Sequence, residues 1–125
     1  MVTSESIKEI SKAFVMASSE VKNMYPSKDG YGYKYVELCS IIDQIKPVMS
    51  GNGLAVLQSP SESENGVGIT TVILHESGEY FEFNYHLPST NMKAVNVTQA
   101  IGASITYGRR YALSAIFGIA TDIDT

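Results

Sequence analysis

Hydrophobic spacing changes its period twice along this chain, which constrains the fold more than any other feature. Ile7, Ile10, Phe14, Ala17, Val21 and Met24 recur every three or four positions, the spacing of an amphipathic helix over residues 4–24. Leu38, Ile41, Ile42, Ile45 and Met49 repeat that spacing and predict a second helix from Val36 to about Met49. Pro47 counts against it, because a proline inside a helix removes a hydrogen bond. Leu54–Gln58, Val67–Glu76 and Glu79–Leu87 read as strands, rich in β-branched side chains and alternating in Ile69, Thr71, Ile73 and in Tyr80, Glu82, Asn84. From about Asn96 to Phe117 the period is helical again.

Turn-forming residues mark the boundaries. Ser4 or Ser6 can cap the first helix, and Pro26 with Ser27-Lys28-Asp29-Gly30 ends it. Ser50-Gly51-Asn52-Gly53 stops the second helix, and Asn96 is placed to cap the last. His75-Glu76-Ser77-Gly78 is short enough for a tight hairpin, so the strands on either side pair antiparallel. Pro60 to Gly66 reads as a polar, acidic loop. In Tyr31-Gly32-Tyr33-Lys34-Tyr35 three tyrosines alternate, and an extended backbone would put their rings on one side. The expected architecture is α+β: an antiparallel three-stranded meander sheet backed on one face by helices, with a long C-terminal helix.

At 125 residues and 44% hydrophobic content the chain fits one domain, residues 1–125, with a core of its own. Its net charge of -4 excludes coating nucleic acid through a general positive field, so any such site must be local. Residues 51–90 contain no Lys or Arg but carry Glu62, Glu64, Glu76, Glu79 and Glu82. Residues 91–121 carry Lys93, Arg109 and Arg110 and no acid. The lone Cys39 excludes an intramolecular disulfide and is expected to be a buried small hydrophobe. No run approaches the roughly twenty apolar residues of a membrane span, and Glu5 and Glu9 do not fit a signal peptide, so a soluble, cytoplasmic protein is expected.

The closing helix carries the chemistry. At about 100° per residue, Ile101, Ile105, Ala112 and Ile116 share one stripe, and Tyr107, Arg110, Tyr111 and Ser114 fall on the far side, with Arg109 at the edge. A guanidinium gives phosphates bidentate hydrogen bonds, and tyrosine rings stack on any base, so this face fits single-stranded nucleic acid. Second-layer aromatic packing and an ion-paired or snorkelling Arg109 are the structural alternatives. Covalent chemistry lacks a motif: there is no phosphate loop, no nucleophile arrangement, and His75 and His86 lack metal-ligand spacing, so no metal site is expected.

The string Gln99–Leu113, continuing to Gly118-Ile119 and to Asp122 and Asp124, resembles the C-terminal core motif of the phage ERF (essential recombination function) family of single-strand annealing proteins. Lys34-Tyr35 with Leu38, Ile45-Lys46-Pro47 and Asn52-Gly53-Leu54-Ala55-Val56 are similar to the family's N-terminal half. Thr70-Thr71-Val72 and Leu74–Glu79 are similar to its hairpin, so the likeness runs in order from about residue 6 to 124. Gly108 stands where many relatives carry alanine, which allows a closer backbone approach or a slight kink.

The resemblance implies an ATP-independent recombinase that coats single-stranded DNA as rings or helical filaments and anneals complementary strands, with no cofactor. Arg109, Arg110, Tyr107 and Tyr111 match the family signature, and Lys34 and Tyr35 its N-terminal motif. Tyr33 and Lys93 join these DNA-binding candidates from the residue reading alone. Tyr107 and Tyr111 either stack on bases or pack across a subunit boundary. Implied partners are single-stranded DNA, further copies of the chain, and a host or phage single-strand binding protein or exonuclease. Relatives continue into a variable tail, so the chain reads as the family core alone. On this reading Arg110→Ala weakens strand binding and leaves folding intact. The competing reading is a protein-interaction module without annealing activity, which salt-sensitive strand binding would separate.

Overall fold

A computed structural model describes residues 1–25, 28–29, 34–63, 66–88 and 96–121. The order is β1 (Val2–Thr3), α1 (Lys8–Glu20), β2 (Lys28–Asp29), β3 (Lys34–Tyr35), α2 (Leu38–Gly51), β4 (Leu54–Ser63), β5 (Gly66–His75), β6 (Tyr80–Pro88) and α3 (Val97–Phe117). The α+β class stands, but the sheet has four strands rather than three. β4, β5 and β6 form an antiparallel meander, and β1 joins the free edge of β6 to give the order β1-β6-β5-β4. Two residues are too short to show alternation. Their pairing depends on distant partners: Val2 and Thr3 align with Glu82 and Phe81, and Ser4 N donates to Tyr80 O at 3.1 Å. β2 and β3 pair with each other in a separate two-stranded sheet.

The first helix starts later than its apolar pattern. Its N-cap is Ile7, which has no side-chain acceptor. Ser6 Oγ accepts only a long bond from Lys8 N, 3.4 Å, and Ser4 Oγ instead accepts from Tyr80 N. The open amides are satisfied from far along the chain, where Glu79 Oε1 accepts from Glu9 N and Ile10 N at 2.8 Å each.

The segment read as an acidic loop from Pro60 is largely strand. Pro60, Ser61, Glu62 and Ser63 align with Ile69, Gly68, Val67 and Gly66. β4 is an edge strand, where a proline can turn its missing N–H outward without breaking the ladder.

Val67, Ile69, Thr71 and Ile73 alternate inward along β5, as the period of two requires. On that face Ile10 of α1, Ile41, Ile45 and Met49 of α2, and Leu113 and Phe117 of α3 close the core over Ile73 and Phe81. Phe14 meets Phe81 edge-on at 5.8 Å and Phe117 at 5.6 Å. On the opposite face Leu57 and Leu74 are exposed.

α2 continues through Pro47 to Gly51, and Asn52 Nδ2 caps it by donating to Val48 O at 2.8 Å. Cys39 is not in the core. It lies off the buried row of Ile41, Ile45 and Met49, exposed, with Sγ 3.6 Å from Glu37 Oε2. Asn96 caps α3 as expected, its Oδ1 accepting from Gln99 N at 2.8 Å. At the other end Gly118 takes a left-handed φ of 66° and Ile119 N donates to Ser114 O, the closure that glycine permits.

Candidate nucleic-acid interface

Where α3 crosses the sheet, Gly108 decides how close it comes. A Cβ on Gly108 would lie 2.6 Å from Ile69 Cγ1 and 2.9 Å from Leu87 Cδ1. Of the two expectations for this glycine, close approach is the one realised.

That crossing also sets the rotation of the helix, and it corrects the expected faces. Gly108, Arg110, Ala112, Leu113, Ser114 and Phe117 are buried, whereas Ile101 is 46% exposed. The isoleucine stripe misled because no residue of α3 before Gly108 is buried. Arg110 and Ser114, expected outside, therefore face inward. Arg110 is only 9% exposed, its Cζ stands 4.6 Å over the Tyr107 ring, and Ser114 Oγ donates to its carbonyl at 2.8 Å. Tyr107 and Tyr111 lie one turn apart with ring centroids at 5.0 Å, and Tyr111 is the exposed member. Arg110, Tyr107 and Tyr111 thus form one continuous stack.

Arg109 is placed differently. Its Nε donates to Gln58 Oε1 at 3.1 Å, and Gln58 Nε2 donates back to Arg109 O at 3.3 Å and to Thr71 Oγ1 at 3.0 Å. One β4 side chain therefore holds both the side chain and the backbone of Arg109, and is itself anchored to a fully buried threonine. Among the described residues no carboxylate pairs with Arg109.

Gln58 and Arg109 line a groove of about 510 Å³ between α2, β4 and α3. Its apolar lining includes Ile45, Met49, Leu54, Val56 and Leu113; among the described residues its charged lining is Lys46 and Arg109, with no acid. Gln58 and Lys46 were missed by sequence reasoning. Gln58 had a signal, since it is a polar residue at an inward position of a strand, cross-paired with inward Thr71.

The remaining candidates are Lys34, Tyr35, Tyr33 and Lys93. Lys34 and Tyr35 form β3, but their side chains, with Tyr33 and Lys93, lie outside the described residues. The polar groups of the hairpin have structural partners: His75 Nδ1 accepts from Ser77 N at 3.1 Å, and Glu79 caps α1. The backbone N–H of Ile10, helped by Ser6, Glu9 and His75, holds the Glu79 carboxyl below its ordinary 4.5 against a smaller opposing effect of burial. Among the described residues no group of three or more His, Cys, Asp and Glu side chains could hold a metal ion, and no helix is long and apolar enough to cross a membrane.

The profile of the ERF superfamily matches residues 10–125, from the first buried residue of α1 through the whole of α3. The chain belongs to the ERF superfamily. Among relatives, this ERF chain is similar to the essential recombination function protein of Salmonella phage P22, with 30% identity over 112 residues, covering 83% of this chain and 52% of that protein. It spans about half the length of that relative. No solved structure matches it. The groove, the Arg109–Gln58 clasp and the tyrosine stack all lie inside the ERF-matched region.

Proposed function

We propose that this ERF chain is a DNA recombination protein that binds single-stranded DNA, assembles on it and anneals complementary strands without ATP or covalent chemistry. The observation that carries the reading is the groove of α2, β4 and α3, whose charged lining among the described residues is Arg109 and Lys46, in a chain of net charge -4. Local cation in an acidic protein is what selective phosphate binding needs, because the net charge of -4 disfavours non-specific binding of the strand elsewhere. The P22 relative, named for recombination, supports the same assignment.

Few cations per subunit make a single site weak, and linked subunits multiply weak contacts through effective concentration. The exposed start of α3 supports assembly. Residues 97–108 carry no charge, and Val97 at 75% exposure and Ile101 at 46% offer an apolar surface that a neighbouring copy can cover. A continuous strand path calls for a head-to-tail contact, which closes into a ring or runs on as a filament.

The test is ATP-free annealing of two complementary fluorescent oligonucleotides at low and high salt, with light scattering on the same samples. Faster annealing at low salt with oligomers present is the expected result. Strand binding without annealing points to an accessory role, and no binding at low salt moves the interaction-module reading ahead.

A further inference from the structure

We infer that the groove between α2, β4 and α3 is a one-nucleotide subsite, taking a base into its apolar trough while Lys46 and Arg109 hold the flanking phosphates. This rests on the single-strand reading above and names where the strand sits. Two features choose a nucleotide over a purely apolar occupant. Among the described residues the charged lining is cationic, Lys46 and Arg109, which complements phosphate and leaves an apolar peptide with nothing to offer Lys46. Arg109 is also fixed before any ligand arrives: Gln58 holds its Nε and its carbonyl, so the rest of the guanidinium is directed without loss of side-chain freedom on binding. The volume, about 510 Å³, falls in the range of small-ligand clefts, roughly 300–1,000 Å³.

Selectivity follows from the same hydrogen bonds. Both Nε2 protons of Gln58 are directed, one to Thr71 Oγ1 and one to Arg109 O, and its Oε1 already accepts from Arg109. Gln58 therefore keeps no amide donor with which to read a base edge. A base in an open groove is held weakly enough to leave when a complementary strand arrives, and bases outside the groove remain presented.

The experiment compares binding of an oligothymidylate with binding of an abasic deoxyribose-phosphate oligomer of equal length, by fluorescence anisotropy across a salt series. Two variants of the full chain are used. Ser50→Phe places a ring into the trough from an exposed position in the last turn of α2. Lys46→Ala removes a cation and leaves the trough open. Ser50→Phe is expected to weaken oligothymidylate binding about tenfold and leave abasic binding unchanged, since burial in the apolar trough acts on the base alone. Lys46→Ala is expected to weaken both ligands and lower the salt slope by about 0.7, the single-strand value for one phosphate contact. Equal loss of both ligands in Ser50→Phe, or no loss in either, overturns the subsite, as does an unchanged salt slope in Lys46→Ala. So does dissociation of oligomers by Ser50→Phe at unchanged strand binding, which would give the groove to a neighbouring copy. If the wild-type chain binds neither ligand, the single-strand reading itself falls, and the subsite with it.

Discussion

Arg109 and Arg110 are adjacent, yet the fold places them differently: Arg109 is clasped by Gln58 and Arg110 is buried. Arg110 is buried beneath Tyr107, so its alkyl chain and its cation–π contact belong to the stability of α3 on the sheet. Arg110→Ala is accordingly expected to cost about 2 kcal/mol in urea unfolding, as desolvated cation–π pairs do. That reverses the expectation drawn from the helical wheel, where Arg110 stood outside. Arg109→Ala removes one side-chain hydrogen bond, at a cost of about 1 kcal/mol or less, and its main effect is expected in strand affinity. Gly108→Ala tests the crossing itself. Alanine gains about 1 kcal/mol of helix propensity, but its methyl would stand 2.6 Å from Ile69 Cγ1, and overpacking a filled core costs about 1–3 kcal/mol. A net loss of about 1 kcal/mol is expected, and a more stable variant would show that Ile69 and Leu87 yield freely.

At the scale of elements, both long-range and local caps are in use. α3 is capped by its own Asn96, and Asn96→Ala is expected to cost about 1 kcal/mol, seen as a lower midpoint in denaturant. α1 is capped by Glu79 from the start of β6, which ties the helix to the sheet. The Glu79 carboxyl is held below its ordinary 4.5 in the folded chain, so the unfolded chain binds that proton more readily. Its contribution is therefore complete above about pH 4.5 and lost as pH falls through the lowered folded value. Glu79→Gln is expected to lower the melting temperature near neutrality and to flatten its decline between about pH 5 and pH 3. Parallel wild-type and variant curves over that range would remove Glu79 from the pH dependence. The helical and strand types of α2, β5, β6 and α3 were legible because each is long enough to show its period. β1 was not, because two residues have no period. The end of β4 was hidden by Pro60 and Glu62, which an edge strand tolerates.

For the whole molecule, the exposed start of α3 makes assembly testable without touching the core. Ile101→Asp places a charge on a side chain that is 46% exposed, so the melting temperature should hold while sedimentation shifts to smaller species. A variant with wild-type assembly would move the interface elsewhere. The sequence by itself determined the α+β class, the antiparallel hairpin at His75–Gly78, both ends of α3 and the family signature, since each is written in local spacing or in a contiguous string. Only the tertiary structure decided which side of α3 is buried, that Arg110 turns inward, that Gln58 clasps Arg109, and that Lys46 shares a groove with it. The physical reason is that burial depends on where a second surface ends. The apolar stripe of Ile101 and Ile105 states a preference, but α3 meets the sheet closely at Gly108, and contacts 51 residues apart, such as Gln58 with Arg109, fix the rotation there.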